Sequence, residues 1–164
     1  MPEPIGQPER VEWIDEETWR AIVRNVPIVS VDLVVLVDGG VALAKRRNHP
    51  AKGEWFVPGG RVHKGEMLDD AVDRIAYEEF GIKIEIVESL GAFQHLYDES
   101  EISGSGGKHY LANGFVVETT DKPTVSDDQH GSVRVFSELP DNLHPYIEAY
   151  FRDSETLEAR SFGL

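Results

Sequence analysis

Carboxylates and one arginine recur at helical spacing near the middle of the chain. Asp70, Arg74 and Glu78 lie four residues apart, so Arg74 can pair with either acid on one helix face. Glu79 follows Glu78 and is rotated toward the apolar side of the same helix. If this edge faces Pro58-Gly59-Gly60, interpreted as a turn with free carbonyls, the oxygens together suit a hard cation such as Mg²⁺. From these residues alone, the alternative is a solvated helix with a charge-paired face.

Three other charged positions point to ligand binding. Asp32 lies within an apolar, β-branched run, where an unpaired carboxylate is costly, so it requires a structural partner or a ligand. Arg46 and Arg61 flank the glycine pair, and guanidinium groups are well suited to binding a diphosphate. On an acidic chain we interpret these arginines as anion ligands, with exposed salt-bridge partners as the alternative.

The surrounding sequence predicts the elements that position these residues. We predict a helix from its N-cap Asp15 to Pro27 and a second helix from Met67 to Phe80, stopped by Gly81. The predicted strands are Ile28–Val37, Val41–Lys45, Gly53–Val57, Arg61–Val62 and roughly 83–97, 108–118 and 133–136, and a short last helix begins at Pro145. This pattern predicts one α+β domain over residues 1–164, with a mixed sheet and helices on its faces. Residues 1–12, rich in Pro and Glu, are expected to be loosely ordered.

The composition limits the classes of function. A chain of 164 residues that is 40% hydrophobic and 28% charged is typical of one globular domain. It has no apolar run of membrane-spanning length, no secretory signal and no cysteine for a thiolate site, so we expect a cytoplasmic protein without a membrane partner.

The charge balance is the most unusual feature of the composition. A net charge of −14 argues against nucleic acid as a partner, because phosphates would be repelled. The chain has 10 arginines and only 6 lysines, and many carboxylates with few lysines would suit a salt-rich cytoplasm. Plain solubility is the alternative explanation.

The segment from Gly60 to Ile82 resembles the signature of the Nudix hydrolases, Gly-x5-Glu-x7-Arg-Glu-hydrophobic-x-Glu-Glu-x-Gly-hydrophobic. The matching positions are Gly60, Glu66, Arg74, Ala76, Glu78, Glu79, Gly81 and Ile82. The resemblance implies the Nudix fold, a mixed β-sheet sandwiched between helices, and metal-dependent hydrolysis of nucleoside diphosphate derivatives. Ile75 departs from the signature, since the family has a glutamate there and isoleucine binds no metal. A one-metal site is therefore favoured over a multi-metal cluster, and loss of activity is the alternative.

Most of residues 16–151 is more closely similar to the GDP-mannose mannosyl hydrolase branch of the family, which also lacks that glutamate. The similar stretches are Pro27–Asp32, Lys45–Val62, Gln94–Tyr97, His109-Tyr110 and Asp128–His130. The resemblance implies hydrolysis of GDP-mannose or GDP-glucose at sugar carbon C1, with inversion, to GDP and free sugar. It also implies a homodimer.

The same resemblance assigns residues to the substrate. It implies that Asp32 and His95 contact the sugar, although a structural ion pair and a structural histidine are the alternatives. It implies that Arg46, Arg61 and Tyr110 hold the diphosphate leaving group, where Tyr110 donates a hydrogen bond.

The metal and the catalytic base are assigned in the same way. The implied metal ligands are Gly59, Glu79 and Gln129, with Glu78 as an added carboxylate, around one Mg²⁺ or, as the alternative ion, Mn²⁺. Gln129 would offer its amide oxygen. His130 is implied as the general base, and the pKa of histidine lies near working pH. A pyrophosphatase that attacks phosphorus and a non-catalytic nucleotide-sugar sensor remain the alternative functions.

Overall fold

The computed structural model describes residues 6, 8–46, 53–100, 102, 104, 106–125, 130–160 and 162, with the backbone alone at 130 and 131. Within these ranges the helices are α1 (Glu16–Asn25), α2 (Leu68–Phe80), α3 (Pro145–Asp153) and α4 (Glu155–Glu158). The strands are β1 (Ile28–Val37), β2 (Gly40–Arg46), β3 (Trp55–Phe56), β4 (Gly59–Arg61), β5 (Glu85–Tyr97), β6 (Lys108–Glu118) and β7 (His130–Phe136).

The strands form one mixed sheet in the order β3-β2-β1-β6-β5, with β4 paired to β1 and β7 paired to β2. β1 and β6 run parallel, and the other pairs are antiparallel. β1 therefore lies at the centre and contacts β2, β4 and β6. This position explains why its sequence is almost wholly apolar, and why Asp32 within it stands out.

The helix boundaries follow from the predicted capping residues. The Asp15 carboxylate accepts a hydrogen bond from the Thr18 N–H and caps α1. Gly81 ends α2 with a φ of 67°, a left-handed conformation that favours glycine. The prediction of α2 is therefore confirmed to within one residue, since Met67 is its N-cap.

Helices α2 and α3 cover opposite faces of the sheet. Alternate residues of β1 point to opposite faces. Val31, Leu33, Val35 and Val37 pack with the buried side of α2, which consists of Ala71, Val72, Ile75, Ala76 and Phe80. Val34 and Leu36 pack with Ile147, Tyr150 and Phe151 of α3. The predicted arrangement of a mixed sheet between helices is confirmed.

One local expectation does not hold. Gly59 and Gly60 form a strand paired with Asp32 and Val31, not a turn, because β2 leaves this part of β1 uncovered and β4 completes the pairing. Of residues 1–12, expected to be loosely ordered, the structure describes 6 and 8–12, and there the Val11 N–H donates to the Lys64 carbonyl at 3.1 Å.

The prediction that the helix beginning at Pro145 is the last one was wrong, because the short helix α4 follows it. Helix α4 has only four residues, and its clearest sequence signal is the Ser154 cap. Among the helices that the structure describes, none is long and apolar enough to cross a membrane.

Candidate active site

A buried ion pair fixes the segment between β4 and α2. The Glu66 carboxylate is fully buried and accepts hydrogen bonds from Arg74 Nε at 2.7 Å and Nη2 at 3.0 Å. Arg10 Nη2 donates to the same carboxylate at 2.9 Å, and the His63 N–H donates at 3.0 Å. Burial opposes ionisation of Glu66, but the donors, led by Arg74, outweigh it and hold its pKa below the usual value.

Arg74 joins this pair to the two neighbouring elements. Its Nη2 donates to the Arg61 carbonyl on β4 at 2.8 Å, and its Nη1 donates to Glu78 at 3.0 Å. The predicted pairing of Arg74 with Glu78 is confirmed, whereas its shorter contact with Glu66 was not predicted. The signature residues Glu66 and Arg74 therefore have a structural role, which is to set the position of α2 relative to β4.

The two glycines of β4 allow close approach on both sides of the strand. A Cβ built on Gly60 would overlap Cδ1 of Ile75, and one built on Gly59 would overlap Oδ1 of Asp32. Any side chain at either position would push these neighbours away. Gly59 and Gly60 thus connect the α2 side of the sheet to the side on which Asp32 lies.

The oxygens proposed as metal ligands lie along this strand and helix. The Leu33 N–H donates to the Pro58 carbonyl at 2.9 Å, so Gly59 takes the non-hydrogen-bonded position opposite Asp32. Its carbonyl therefore points away from β1, as the proposed role in binding the metal requires. Glu79 is half-buried and lies one turn after Ile75, on the side of α2 that faces β4.

This donor set fits a hard divalent ion such as Mg²⁺, which takes one or two carboxylates and leaves other positions to substrate phosphate and water. Glu78 is exposed and paired with Arg74, so it is the weaker candidate of the two glutamates. Over the described residues there is no group of three or more His, Asp or Glu side chains that could hold a metal. Gln129, the remaining expected ligand, lies outside the described residues.

The register of the strands places the proposed substrate-binding residues on one face of the sheet. Asp32 is opposite Gly59, and Ser30, two residues earlier, is opposite Arg61. On the other side of β1, Ile28 is opposite Tyr110, which in turn is opposite His95. Because paired residues share a face, the Asp32, Arg61, Tyr110 and His95 side chains lie on the face covered by α3.

Asp32 has a structural partner that the sequence did not reveal. Tyr150 Oη donates a hydrogen bond of 2.6 Å to Asp32 Oδ2, and it lies 3.4 Å from His95 Nε2. Burial raises the Asp32 pKa to about 6, although Tyr150 and Arg46 favour the ionised form. The carboxylate is therefore mostly ionised at neutral pH, at a considerable desolvation cost.

His95 is buried beside Asp32 and Tyr150. Its ring is buried, stacks on Tyr146 with a centroid distance of 4.4 Å, and has Nδ1 3.8 Å from Asp32 Oδ2. That distance alone suggests an ion pair. Burial, together with the nearby His144, instead lowers the His95 pKa to about 4, so the ring is neutral beside the carboxylate at neutral pH.

The two proposed diphosphate arginines have different surroundings. Arg46 lies at the end of β2, with Cζ 5.3 Å from the centre of the Phe56 ring, and its charge favours the ionised form of Asp32. Its Nε is buried and has no hydrogen-bond acceptor among the described residues. Arg61 donates to the Glu12 carbonyl at 2.9 Å and lies 5.9 Å from the centre of the Trp19 ring. Burial and the neighbouring Arg74 lower the Arg61 pKa, and it remains a cation at neutral pH.

Tyr110 and His130 complete the proposed substrate residues. Tyr110 is half-buried, with Lys108 Nζ 5.4 Å from the centre of its ring. The backbone of His130 is opposite that of Arg46 where β7 pairs with β2, and its side chain lies outside the described part of the chain. The sequence position predicted as the base is therefore next to the strand end that carries Arg46.

Helix α3 contributes residues that sequence reasoning missed. Tyr146 and Tyr150 are four residues apart, so both rings point to the same side of the helix, toward His95. Tyr97 and His144 lie in the same aromatic group. The i, i+4 tyrosine spacing was a visible signal, but it is equally typical of an ordinary core helix.

The profile of the NUDIX domain matches residues 26–155, which include β1, the glycine strand, α2 and the tyrosines of α3. The chain belongs to the Nudix family of hydrolases. The predicted family and fold are thereby confirmed. Nudix hydrolases generally use divalent metals such as Mg²⁺.

Individual relatives support the same assignment. The chain is 50% identical over 137 residues to the low-salt glycan biosynthesis protein Agl8 of Haloferax volcanii, covering 84% of this chain and 88% of the relative. It is 39% identical over 67 residues to an ADP-ribose pyrophosphatase of Methanocaldococcus jannaschii, covering 41% of this chain and 40% of that protein. The MutT NUDIX hydrolase structure from Burkholderia pseudomallei has a TM-score of 0.65 at 28% identity, covering 77% of this chain and 97% of that one.

Proposed function

We propose that this Nudix hydrolase cleaves a GDP-sugar, GDP-mannose or GDP-glucose, at sugar carbon C1 with inversion, releasing GDP and free sugar. The observation that carries the proposal is the position of Ile75. This side chain is buried in the core and directly contacts Gly60. Where the family signature supplies a carboxylate to a metal cluster beside phosphorus, this helix supplies a hydrocarbon. Helix α2 therefore offers one carboxylate fewer for a metal cluster that would activate water against phosphorus.

The side chains on the α3 face support binding of both parts of such a substrate. Asp32 and the neutral His95 ring offer hydrogen-bonding groups for sugar hydroxyls within an otherwise apolar region. Arg46 Nε is buried and has no acceptor among the described residues, so this guanidinium retains hydrogen-bonding capacity for a diphosphate. Arg61 and Tyr110 share that face.

The reaction requires one base and a good leaving group. His130 removes a proton from water as the water oxygen bonds to C1, and the bond from C1 to the β-phosphate oxygen breaks on the opposite side. The electron pair of that bond leaves with GDP, whose charge Arg46, Arg61 and Tyr110 offset. Glu79, the Gly59 carbonyl and Gln129 would hold the metal, which would supply charge neutralisation on the diphosphate. A separate acid is unnecessary, unlike in ordinary inverting glycosidases.

The two relatives favour different substrates and reactions. The relative named for glycan biosynthesis matches most of this chain, and a nucleotide-sugar substrate suits such a role. The relative named as an ADP-ribose pyrophosphatase favours the second candidate, a Nudix pyrophosphatase that attacks phosphorus. Glu78 also favours that candidate, because an exposed carboxylate next to Glu79 could support a second ion. The buried Ile75, which replaces a metal-binding carboxylate of the signature, supports attack at carbon.

A panel of nucleotide sugars incubated with the purified protein and Mg²⁺ tests the proposal. We expect GDP and free hexose, identified by mass, from GDP-mannose or GDP-glucose, and no turnover with EDTA. GMP with sugar 1-phosphate would support the pyrophosphatase instead. Binding without turnover of any member of the panel would identify a nucleotide-sugar sensor.

A further inference from the structure

We propose that Tyr150 of α3 is a positioning residue for sugar recognition: it fixes the Asp32 carboxylate so that one oxygen faces the substrate. This inference rests on the proposed function, which places the sugar at Asp32. Tyr150 Oη donates to Asp32 Oδ2 at 2.6 Å, within the range of strong bonds to carboxylates. The other oxygen, Oδ1, lies against Gly59, the proposed metal ligand, and the Asp32 side chain keeps 17% of its surface exposed for a ligand.

The Tyr150 ring has no room for another position. It is fully buried, and a Cβ built on Gly114 would lie 2.7 Å from its Cε1. Phe93 packs against it edge to face, with a centroid distance of 4.7 Å. The sheet therefore leaves a space shaped for this ring, which directs the hydroxyl at Asp32.

The neighbouring turn of α3 contacts His95, the second residue proposed to bind the sugar. Tyr146 Oη donates to the Leu96 carbonyl at 2.8 Å and accepts from the Leu96 N–H at 3.0 Å, while its ring stacks on His95. α3 is thereby attached to β5 at the level of His95. Helix α3 thus positions both residues proposed to bind the sugar: the Tyr150 hydroxyl contacts Asp32, and the Tyr146 ring stacks on His95.

The Tyr150 hydroxyl contacts two polar side chains, those of Asp32 and His95. Because its single hydrogen is donated to the Asp32 carboxylate, Oη can only accept from His95 Nε2, which lies 3.4 Å away. This geometry favours the His95 tautomer with its proton on Nε2. Loss of the hydroxyl would release the carboxylate from its fixed rotamer and remove this constraint on the ring.

The experiment compares Tyr150→Phe with the wild type, because phenylalanine keeps the ring over Gly114 and removes only the hydroxyl. We expect the KM for GDP-mannose to rise about tenfold or more, as for loss of a hydrogen bond to a charged group, with kcat changed much less. The inhibition constant of GDP, which lacks the sugar, should stay unchanged. Tyr77→Phe, on the exposed side of α2, is the matched control and should alter neither constant.

A double-mutant cycle then tests whether Tyr150 acts through Asp32. In an Asp32→Ala background, Tyr150→Phe should add no further loss of affinity for GDP-mannose. A wild-type KM in Tyr150→Phe, equal weakening of GDP and GDP-mannose, or full additivity in the cycle would overturn the inference. If GDP-mannose binds but is not hydrolysed, the proposed function fails, and the ratio of calorimetric Kd values for GDP-mannose and GDP tests Tyr150 by itself.

Discussion

Ile75 lies directly against Gly60, so that a side-chain carbon on Gly60 would overlap the isoleucine Cδ1 atom. This contact joins the core of the sheet to the strand that carries the proposed metal ligand Gly59. Since Ile75 lies on the β4 side of α2, so does Glu79, one helical turn later. Glu78 points instead toward solvent, where Arg74 Nη1 contacts it at 3.0 Å.

Substitution of the two adjacent glutamates should therefore have unequal effects. We expect Glu79→Gln to lower kcat at least about a hundredfold, because it removes the charged metal ligand. Glu78→Gln is the matched control and should cost less than about tenfold, since an exposed ion pair contributes little. Steady-state rates across a Mg²⁺ titration provide the measurement. Equal losses, or a larger loss in Glu78→Gln, would mean that the ion lies elsewhere.

Burial of His95 predicts a pH dependence of stability. Its folded-state pKa of about 4 lies below the ordinary 6.5, so the unfolded chain binds the proton first as the pH falls. The stabilisation from keeping the ring neutral is complete above about pH 6.5 and is lost toward pH 4, an effect of at most about 3 kcal/mol.

Denaturant unfolding of the wild type and His95→Gln at several pH values between 7 and 4 measures this effect. Asp32, with its pKa raised to about 6, titrates with the opposite sign in both proteins, so the difference between them reports on His95. We expect that difference in unfolding free energy to shrink as the pH falls. A constant difference would show that His95 is not held neutral by burial.

Stability in salt tests the interpretation of the acidic composition. With a net charge of −14, self-repulsion should be strong at low ionic strength and screened in concentrated salt. We expect the melting temperature to rise between low and molar KCl. A melting temperature that is flat or falls would contradict adaptation to a salt-rich interior and would leave the enzyme assignment unchanged.

Most of the fold could be predicted because the signals that begin and end its helices and strands are local in the sequence. Asp15 and Gly81 mark helix ends, and the apolar run from Ile28 marks the central strand. The pairing of Gly59 with Asp32 was missed, because two glycines suggest a turn unless the neighbouring strand is known. Tyr150 was missed for a similar reason: it lies 118 residues from Asp32, and no local pattern reports a contact that tertiary packing alone creates.

The proposed base can be tested by removing its ability to accept a proton. We expect His130→Gln to lower kcat by roughly 10²–10⁴-fold, the usual contribution of a general base. Calorimetric affinities for Mg²⁺ and GDP should change little, and the acid limb of the rate profile near the histidine pKa should disappear. Near wild-type kcat in this variant would exclude His130 as the base.

Identifying the bond that breaks is the most direct test of the proposed attack at sugar carbon C1. Turnover of GDP-mannose in ¹⁸O-water, followed by mass spectrometry, shows which atom the water attacked. With Ile75 buried against Gly60 and His130 on the strand next to Arg46, we expect the label on free sugar and none on GDP. The sugar should first appear as the anomer opposite to the one bound. GMP and sugar 1-phosphate, with the label on either phosphate, would contradict attack at carbon and identify an ordinary Nudix pyrophosphatase.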